Sequence, residues 1–109
     1  MTKAKPADRG CVIIWQYDVR PGSEPSFERT YGTGGEWHKI FASAEGYIRT
    51  ELSRHVEIPG RYHTFDFWVS REAYERFHRQ TLAAYEALDK RCEAWTRREV
   101  QLGVFEKVG

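Results

Sequence analysis

Residues 46–70 read GYIRTELSRHVEIPGRYHTFDFWVS, and this stretch decides the fold. Two segments rich in β-branched and aromatic residues, 47–56 and 61–69, flank the turn sequence Glu57-Ile58-Pro59-Gly60. Such segments favour strands and Pro-Gly favours a tight turn, so the stretch predicts a β-hairpin. A four-residue turn places Val56 opposite Arg61, and counting from that pair sets the register of the two strands.

The segments on either side of the hairpin complete the element order. Residues 11–19 predict a first strand, and a helix follows from Ser23 to Gly46 with an interruption at residues 32–35, which read GTGG. Each glycine costs about 1 kcal/mol inside a helix, so we expect a break there. After Ser70, apolar residues spaced by three and four predict a second helical stretch: Tyr74, Phe77, Thr81, Tyr85, Leu88, Cys92 and Trp95. It contains no Gly or Pro, so any break in it must come from packing.

A last strand is predicted over about residues 98–106, where apolar and polar positions alternate. The order is β-α-β-β-α-β, which is typical of the ferredoxin-like fold. We therefore expect an α+β protein with a four-stranded antiparallel sheet and both helical stretches on one face.

Composition indicates one small folded domain. The chain has 109 residues, 15% of them aromatic, and a net charge of +1. We expect a flexible tail over 1–10 and a single domain over 11–109. The balanced charge argues against a nucleic-acid partner, and no apolar run is long enough to cross a membrane. Two distant cysteines indicate free thiols, which favours a cytoplasmic protein.

The predicted hairpin register assigns side chains to two faces of the sheet. The face predicted to lie under the helices holds Ile48, Thr50, Leu52, Val56, Phe65, Phe67 and Val69. The opposite face is polar yet aromatic, and its main members are Tyr47, Arg49, Glu51, Thr64, Asp66 and Trp68. Exposure of those aromatic rings to water would be unfavourable. We therefore expect a second copy of the chain to cover them in a homodimer.

The same register sets Glu51 opposite Asp66, and two like charges directly opposed are unfavourable. In one interpretation an arginine, Arg49 or one from a second copy, neutralises the pair within a dimer interface. In the other, the two carboxyl groups share a proton and act in acid–base chemistry. A shift of one residue in the register would remove the pair.

Metal and phosphate sites are not indicated. The four histidines, His38, His55, His63 and His78, show no helical i, i+4 pair, and there is no Cys-x-x-Cys motif, so we expect no metal site. The glycine-rich segment 32–35 lacks the Lys-Ser/Thr of a phosphate loop. It is better explained as a break in the helix, which could also serve as a lid over a pocket.

Aromatic residues give the strongest functional signal. The helices and sheet are expected to bring seven of them together: Tyr31, Trp37, Phe41, Phe65, Phe67, Phe77 and Tyr85. They could form an ordinary core or line an apolar pocket for a planar ligand.

The sequence resembles the antibiotic biosynthesis monooxygenase family. The resemblance covers roughly residues 11–106 and rests on Tyr31-Gly32-x-x-Gly35-x-Trp37-x-x-Ile40-Phe41, Gly46-Tyr47, Thr50-Glu51-Leu52, Arg61-Tyr62-x-Thr64-x-Asp66-x-Trp68 and Tyr74-x-x-Phe77. It continues through Tyr85-x-x-Leu88-Asp89, Thr96, Glu99 and Leu102-Gly103. It implies a dimeric α+β barrel, in which two ferredoxin-like subunits pack sheet to sheet.

The resemblance also implies a function. One branch of the family forms quinones without a cofactor. Resemblance to that branch implies a monooxygenase that acts on a small phenolic or quinol-type metabolite. Tyr31, Trp37 and His38 are the catalytic candidates, and the substrate-binding candidates are Phe41, Phe65, Phe67, Phe77 and Tyr85. The haem-degrading branch is disfavoured, because strand one has no Asn and Ala87 stands where that branch has a His. The alternative is a non-catalytic ligand-binding or stress-response module with the same pocket.

Overall fold

The structure is a computed structural model that describes residues 10–108. The predicted tail over 1–10 lies outside the described residues except for Gly10. The elements in chain order are β1 (Cys11–Val19), α1 (Glu24–Tyr31), α2 (Glu36–Ala42), β2 (Tyr47–Arg54), β3 (Arg61–Trp68), α3 (Arg71–Gln80), α4 (Leu82–Cys92), a 3-10 turn (Glu93–Trp95) and β4 (Thr96–Glu106). None of the helices in this range is long and apolar enough to cross a membrane.

The four strands form one antiparallel sheet in the order β2-β3-β1-β4. Aromatic residues of the helices pack against one of its faces, as in the contacts of Phe27 with Tyr62 and of Phe41 with Trp68. The predicted α+β, ferredoxin-like βαββαβ architecture is therefore confirmed. We call the other side of the sheet, which none of the helices within residues 10–108 covers, the open face.

Both predicted helical stretches are broken. The first ends at Tyr31 and resumes at Glu36, so the glycine segment between them causes the expected break. The second is interrupted at Thr81, whose φ of −118° lies outside the helical range and whose hydroxyl donates to the carbonyl oxygen of Phe77 at 2.8 Å. That hydrogen bond competes with the helical backbone pattern. Ser70 caps α3, because its hydroxyl accepts the amide hydrogen of Ala73 at 3.1 Å.

The hairpin register differs from the predicted one by one residue. The last backbone hydrogen bond of the hairpin runs from the His55 amide to the Arg61 carbonyl, and Arg54 pairs with Tyr62. Residues 56–60 thus form a five-residue connection instead of the predicted four-residue turn over 57–60. A shift of one residue moves the side chains of one strand to the opposite face relative to the other.

The predicted assignment of β3 to the two faces is therefore wrong. Tyr62, Thr64, Asp66 and Trp68 lie under the helices and are at most 8% exposed, whereas Phe65 and Phe67 lie on the open face. In β2, Thr50 and Leu52 do face the helices. A bulge between Tyr47 and Arg49 turns the Tyr47 side chain to the helix side as well. Three residues predicted under the helices are exposed: Ile48, Val56 and Val69.

The core lies between this sheet face and the helices. Its largest fully buried side chains are Trp68, Tyr62, Phe27, Ile13 and Cys92. Trp68 was predicted to lie in a dimer interface, but the helices of its own chain bury it completely. The Phe27 and Tyr31 rings stack at 4.1 Å between centroids, and the Tyr62 ring lies 4.8 Å from that of Phe27. This packing fixes α1 against the centre of the sheet.

Candidate functional site

A cavity lies between the sheet and the broken helices. The strands contribute Trp15, Tyr17, Thr50, Thr64, Asp66 and Glu99, and the helices contribute Tyr31, Trp37, Phe41, Tyr85 and Asp89. The empty space between these residues, including its mouth, is ≈ 390 Å³, although only ≈ 20 Å³ of it admits the centre of a water molecule. In this conformation the cavity therefore has room for one or two waters. The side chains that line it must move before an aromatic ligand can enter.

Asp66 is the most deeply buried carboxyl group of the cavity. It is 8% exposed, and its Oδ1 accepts a hydrogen bond from the Thr50 hydroxyl at 2.8 Å. The Thr50 oxygen in turn accepts from the Tyr47 hydroxyl at 2.8 Å. Burial raises the pKa of Asp66 to about 6, and the hydrogen bond from Thr50 opposes that shift. The carboxyl group therefore exchanges its proton close to neutral pH.

The phenol groups of the cavity remain neutral. Burial raises the pKa of Tyr17, Tyr31 and Tyr85, and the negative charge of Asp66 adds to the shift at Tyr17 and Tyr85. Neutral phenols can donate hydrogen bonds to a ligand oxygen. The buried indole N–H of Trp37 lies next to the Cys92 thiol, where it opposes the rise in pKa that burial gives that thiol.

Two further carboxyl groups lie toward the solvent side of the cavity. Asp89, near the end of α4, is half-buried, and Glu99 on β4 is exposed. Burial raises the pKa of both, and the charge of Asp89 raises that of Glu99 further. The structure shows no cluster of His, Cys, Asp and Glu suited to a metal ion among residues 10–108.

Two of the three predicted catalytic candidates line the cavity, and the third does not. Tyr31 and Trp37 line the cavity. His38 does not, because its side chain turns to the glycine segment, where Nδ1 accepts the Gly34 amide hydrogen at 2.8 Å. The catalytic roles of all three stay predictions.

Only some of the predicted substrate-binding residues line the cavity. Phe41 and Tyr85 line the cavity, whereas Phe77 is buried against Phe41 and Trp68 outside it. Phe65 and Phe67 lie on the open face, away from the cavity, because of the shifted register. Their predicted place between helices and sheet is wrong.

Sequence reasoning assigned two cavity residues, Thr64 and Asp66, to the dimer interface, along with Tyr47 and Trp68. All four lie on the helix side instead. It also missed Trp15, Tyr17, Thr50, Asp89 and Glu99 as cavity residues. The alternation of residues in β3 was the available signal for the cavity. Thr64 and Asp66 alternate along the strand with Tyr62 and Trp68 on one face, so polar groups and aromatic rings lie together there.

The predicted opposition of Glu51 and Asp66 does not occur. Thr50 pairs with Asp66, and Glu51 pairs with Phe65 on the open face. There Glu51 accepts a hydrogen bond from Arg49 Nε at 2.9 Å. The two carboxyl groups therefore lie on different faces and cannot share a proton.

The open face carries a second hollow at one end of the sheet. It is bordered by Val12, Ile48, Phe67 and Val69, and the guanidinium of Arg49 lies 4.0 Å from the centre of the Phe67 ring. Ile48, Val69 and Phe105 are each about half exposed. This surface is apolar at its centre with charged groups at its margin.

The fold and the cavity define a class of protein: a ferredoxin-like α+β domain with an aromatic cavity between its helices and sheet. The model of the antibiotic biosynthesis monooxygenase family matches residues 11–88. The chain belongs to that family. A search of curated proteins gave no match.

Solved structures show the same fold. SnoaB, a cofactor-independent oxygenase from Streptomyces nogalater, is 18% identical with a TM-score of 0.69, and the match covers 93% of this chain and 95% of SnoaB. A Bordetella bronchiseptica protein named for the same family is 23% identical with a TM-score of 0.73, over 93% and 99% of the two chains. A haem-degrading protein from Mycobacterium tuberculosis is 24% identical with a TM-score of 0.53, over only 62% and 76%.

Proposed function

We propose that this protein is a cofactor-independent monooxygenase that oxidises a small aromatic substrate of phenolic or quinol type within the cavity. One observation carries the proposal: the carboxyl group of Asp66 is buried inside an aromatic cavity, and this burial raises its pKa to about 6. A base is most effective when its pKa lies near the working pH. The family membership and the fold shared with SnoaB support an oxygenase.

The reaction needs dioxygen and a phenolic substrate whose keto tautomer has an acidic ring methylene, as anthrone does. Asp66 takes one proton from a ring methylene, and the resulting carbanion reduces dioxygen by forming a C–O bond. The proton returns from Asp66 to the distal oxygen, the O–O bond breaks, and the second methylene hydrogen leaves with that oxygen as water. The methylene becomes a carbonyl, and four electrons pass from its carbon to the two oxygen atoms.

The other cavity residues would hold the substrate and keep water out. Thr50 fixes Oδ1 of Asp66 and so leaves the second carboxylate oxygen for the substrate. The indole ring of Trp37 would pack against the ring of the substrate. The narrow cavity would limit access of water to the carbanion.

Oxygen consumption tests the proposal. Anthrone-like and quinol substrates are offered to the wild type and to Asp66→Asn, whose amide cannot take a proton. We expect kcat to fall by about 100-fold or more in this variant. Trp37→Phe should chiefly raise KM, because it reduces the aromatic surface against which the substrate packs. Asp18→Asn is the matched control, since Asp18 pairs with Arg61 on the open face.

Two outcomes would contradict the proposal. In one, the wild type consumes no dioxygen with any substrate of the panel. In the other, Asp66→Asn retains full turnover. Binding without turnover would favour the non-catalytic ligand-binding module. Independence from a cofactor is tested by turnover that survives treatment with a chelator in protein that shows no flavin or haem absorbance.

We also propose that the protein is a homodimer whose subunits meet through their open faces. Phe65 and Phe67, with Val12 and Ile14 of β1, form a partly exposed apolar strip along the centre of this face. Arg49 and Glu51 remain interface candidates from the sequence prediction, because both lie on this face. A sheet face of this kind is buried in stable proteins, and a second copy is the simplest cover.

A further inference from the structure

The charged groups of the cavity all carry the same sign. Among residues 10–108, Asp66, Asp89 and Glu99 line it, and no Lys, Arg or His does. None of these three carboxyl groups takes part in an ion pair among residues 10–108, whereas Asp18, Glu36 and other carboxylates do. Burial raises the pKa of each carboxyl, and no basic side chain is among the causes that act on them.

The remaining walls of the cavity are mainly aromatic. They comprise Trp15, Tyr17, Tyr31, Trp37, Phe41 and Tyr85. The faces of such rings carry partial negative charge and attract organic cations, most strongly where water is excluded. The rings and the carboxyl groups therefore favour the same kind of ligand and disfavour an anion.

A metal ion does not account for the negative charge. The three carboxyl groups come from β3, α4 and β4, and they form no cluster that could hold a metal ion. Asp66 lies deep in the cavity, whereas Asp89 and Glu99 lie toward solvent. A ligand that satisfies both regions has an aromatic ring inside and a positive group at the mouth.

We propose that the cavity selects a small aromatic molecule with a protonated amine, whose ring lies among the aromatic residues and whose ammonium group lies against Asp89 and Glu99. This inference rests on the proposed function, because it takes the cavity as the substrate site.

Three phenols of similar shape test the charge preference: tyramine as the cation, 4-ethylphenol as the neutral compound and 3-(4-hydroxyphenyl)propionate as the anion. Their affinities for the wild type are measured by calorimetry at pH 7.5. We expect tyramine to bind roughly tenfold more tightly than 4-ethylphenol, and the anion to bind weakest. Added salt should weaken tyramine binding and leave 4-ethylphenol binding unchanged.

Variants separate charge from packing. In the double variant Asp89→Asn with Glu99→Gln, the preference for tyramine over 4-ethylphenol should disappear while 4-ethylphenol keeps its affinity. Glu86→Gln is the control, because Glu86 is an exposed carboxylate on α4 outside the cavity lining. It should leave all three affinities unchanged.

The outcomes distinguish this inference from the proposed function. If tyramine binds no more tightly than 4-ethylphenol, or if the double variant keeps the preference, the charge inference is overturned. The oxygenase proposal would survive if oxygen uptake with neutral quinols still depended on Asp66. If no phenol binds and oxygen uptake is indifferent to Asp66→Asn, the cavity is not the substrate site and both proposals fail.

Discussion

Replacement of Asp66 by Asn is expected to stabilise the folded protein at pH 8. Burial raises the pKa of this carboxyl from its usual 3.8 to about 6. The folded state thus prefers the neutral carboxyl, and an amide has nearly the same shape without a charge. Its oxygen can still accept the hydrogen bond from Thr50.

The size of the effect follows from proton linkage. Asp66 binds its proton more tightly in the folded chain than in the unfolded chain, because its pKa is higher in the folded state. Its contribution to the stability of the folded state therefore falls as the pH rises from about 4 to about 6. A pKa of about 6 against 3.8 corresponds to about 3 kcal/mol that the wild type loses across this range. Asp66→Asn should therefore be up to about 3 kcal/mol more stable than the wild type at pH 8 and nearly equal to it at pH 4.

Urea unfolding at equal protein concentration measures this difference across the pH range. Asp18→Asn is a control of opposite sign, because the Arg61 guanidinium lowers the pKa of Asp18. That variant should be less stable than the wild type at pH 8, and the deficit should shrink in acid. The reasoning is refuted if Asp66→Asn is less stable at pH 8, or if its gain is the same at pH 4.

Three further predictions concern the open face, a turn and the thiols. Wild type should sediment at twice its mass of 12.8 kDa, and Phe67→Glu should sediment as a folded monomer; a folded wild-type monomer at micromolar concentration would disprove the dimer. Gly60→Ala should lower the free energy of unfolding by about 1 kcal/mol or more beyond the loss caused by Gly34→Ala. Both glycines have positive φ, but of the two only a Cβ at position 60 would meet a backbone oxygen, at 2.8 Å. Equal losses would contradict this. Buried Cys11 and Cys92, whose pKa values burial raises, should react slowly with a thiol reagent in native protein and yield two thiols per chain after denaturation; fast native labelling would argue against the burial.

The order of elements was predictable because local sequence determines it. Glycines at 32–35 end α1 by backbone entropy, and Ser70 begins α3 by capping its first turn. Both effects act within a few residues and need no tertiary information. The break at Thr81 was not predictable, since no Gly or Pro marks it.

The hairpin register was not predictable from Pro59-Gly60 alone, because a side chain shapes the turn. Nδ1 of His55 accepts the amide hydrogens of Glu57 and Ile58, each at 3.0 Å. This arrangement accompanies a connection one residue longer than predicted. The one-residue error moved Asp66 from the cavity to the wrong face, so the central residue of the candidate site was misplaced although the fold was correct.

The cavity draws its charge from two parts of the chain. The match to the family covers residues 11–88 and includes Asp66, whereas Asp89 and Glu99 follow it. Asp66 therefore comes from the part of the chain that the family model matches, and the other two cavity carboxyl groups come from the part after it. Substitutions at the end of α4 and in β4 would therefore change the charge at the mouth of the cavity without changing Asp66. An exchange of residues 89–106 between two relatives would then transfer ligand choice, while β1, β2, β3 and the first three helices keep their own residues.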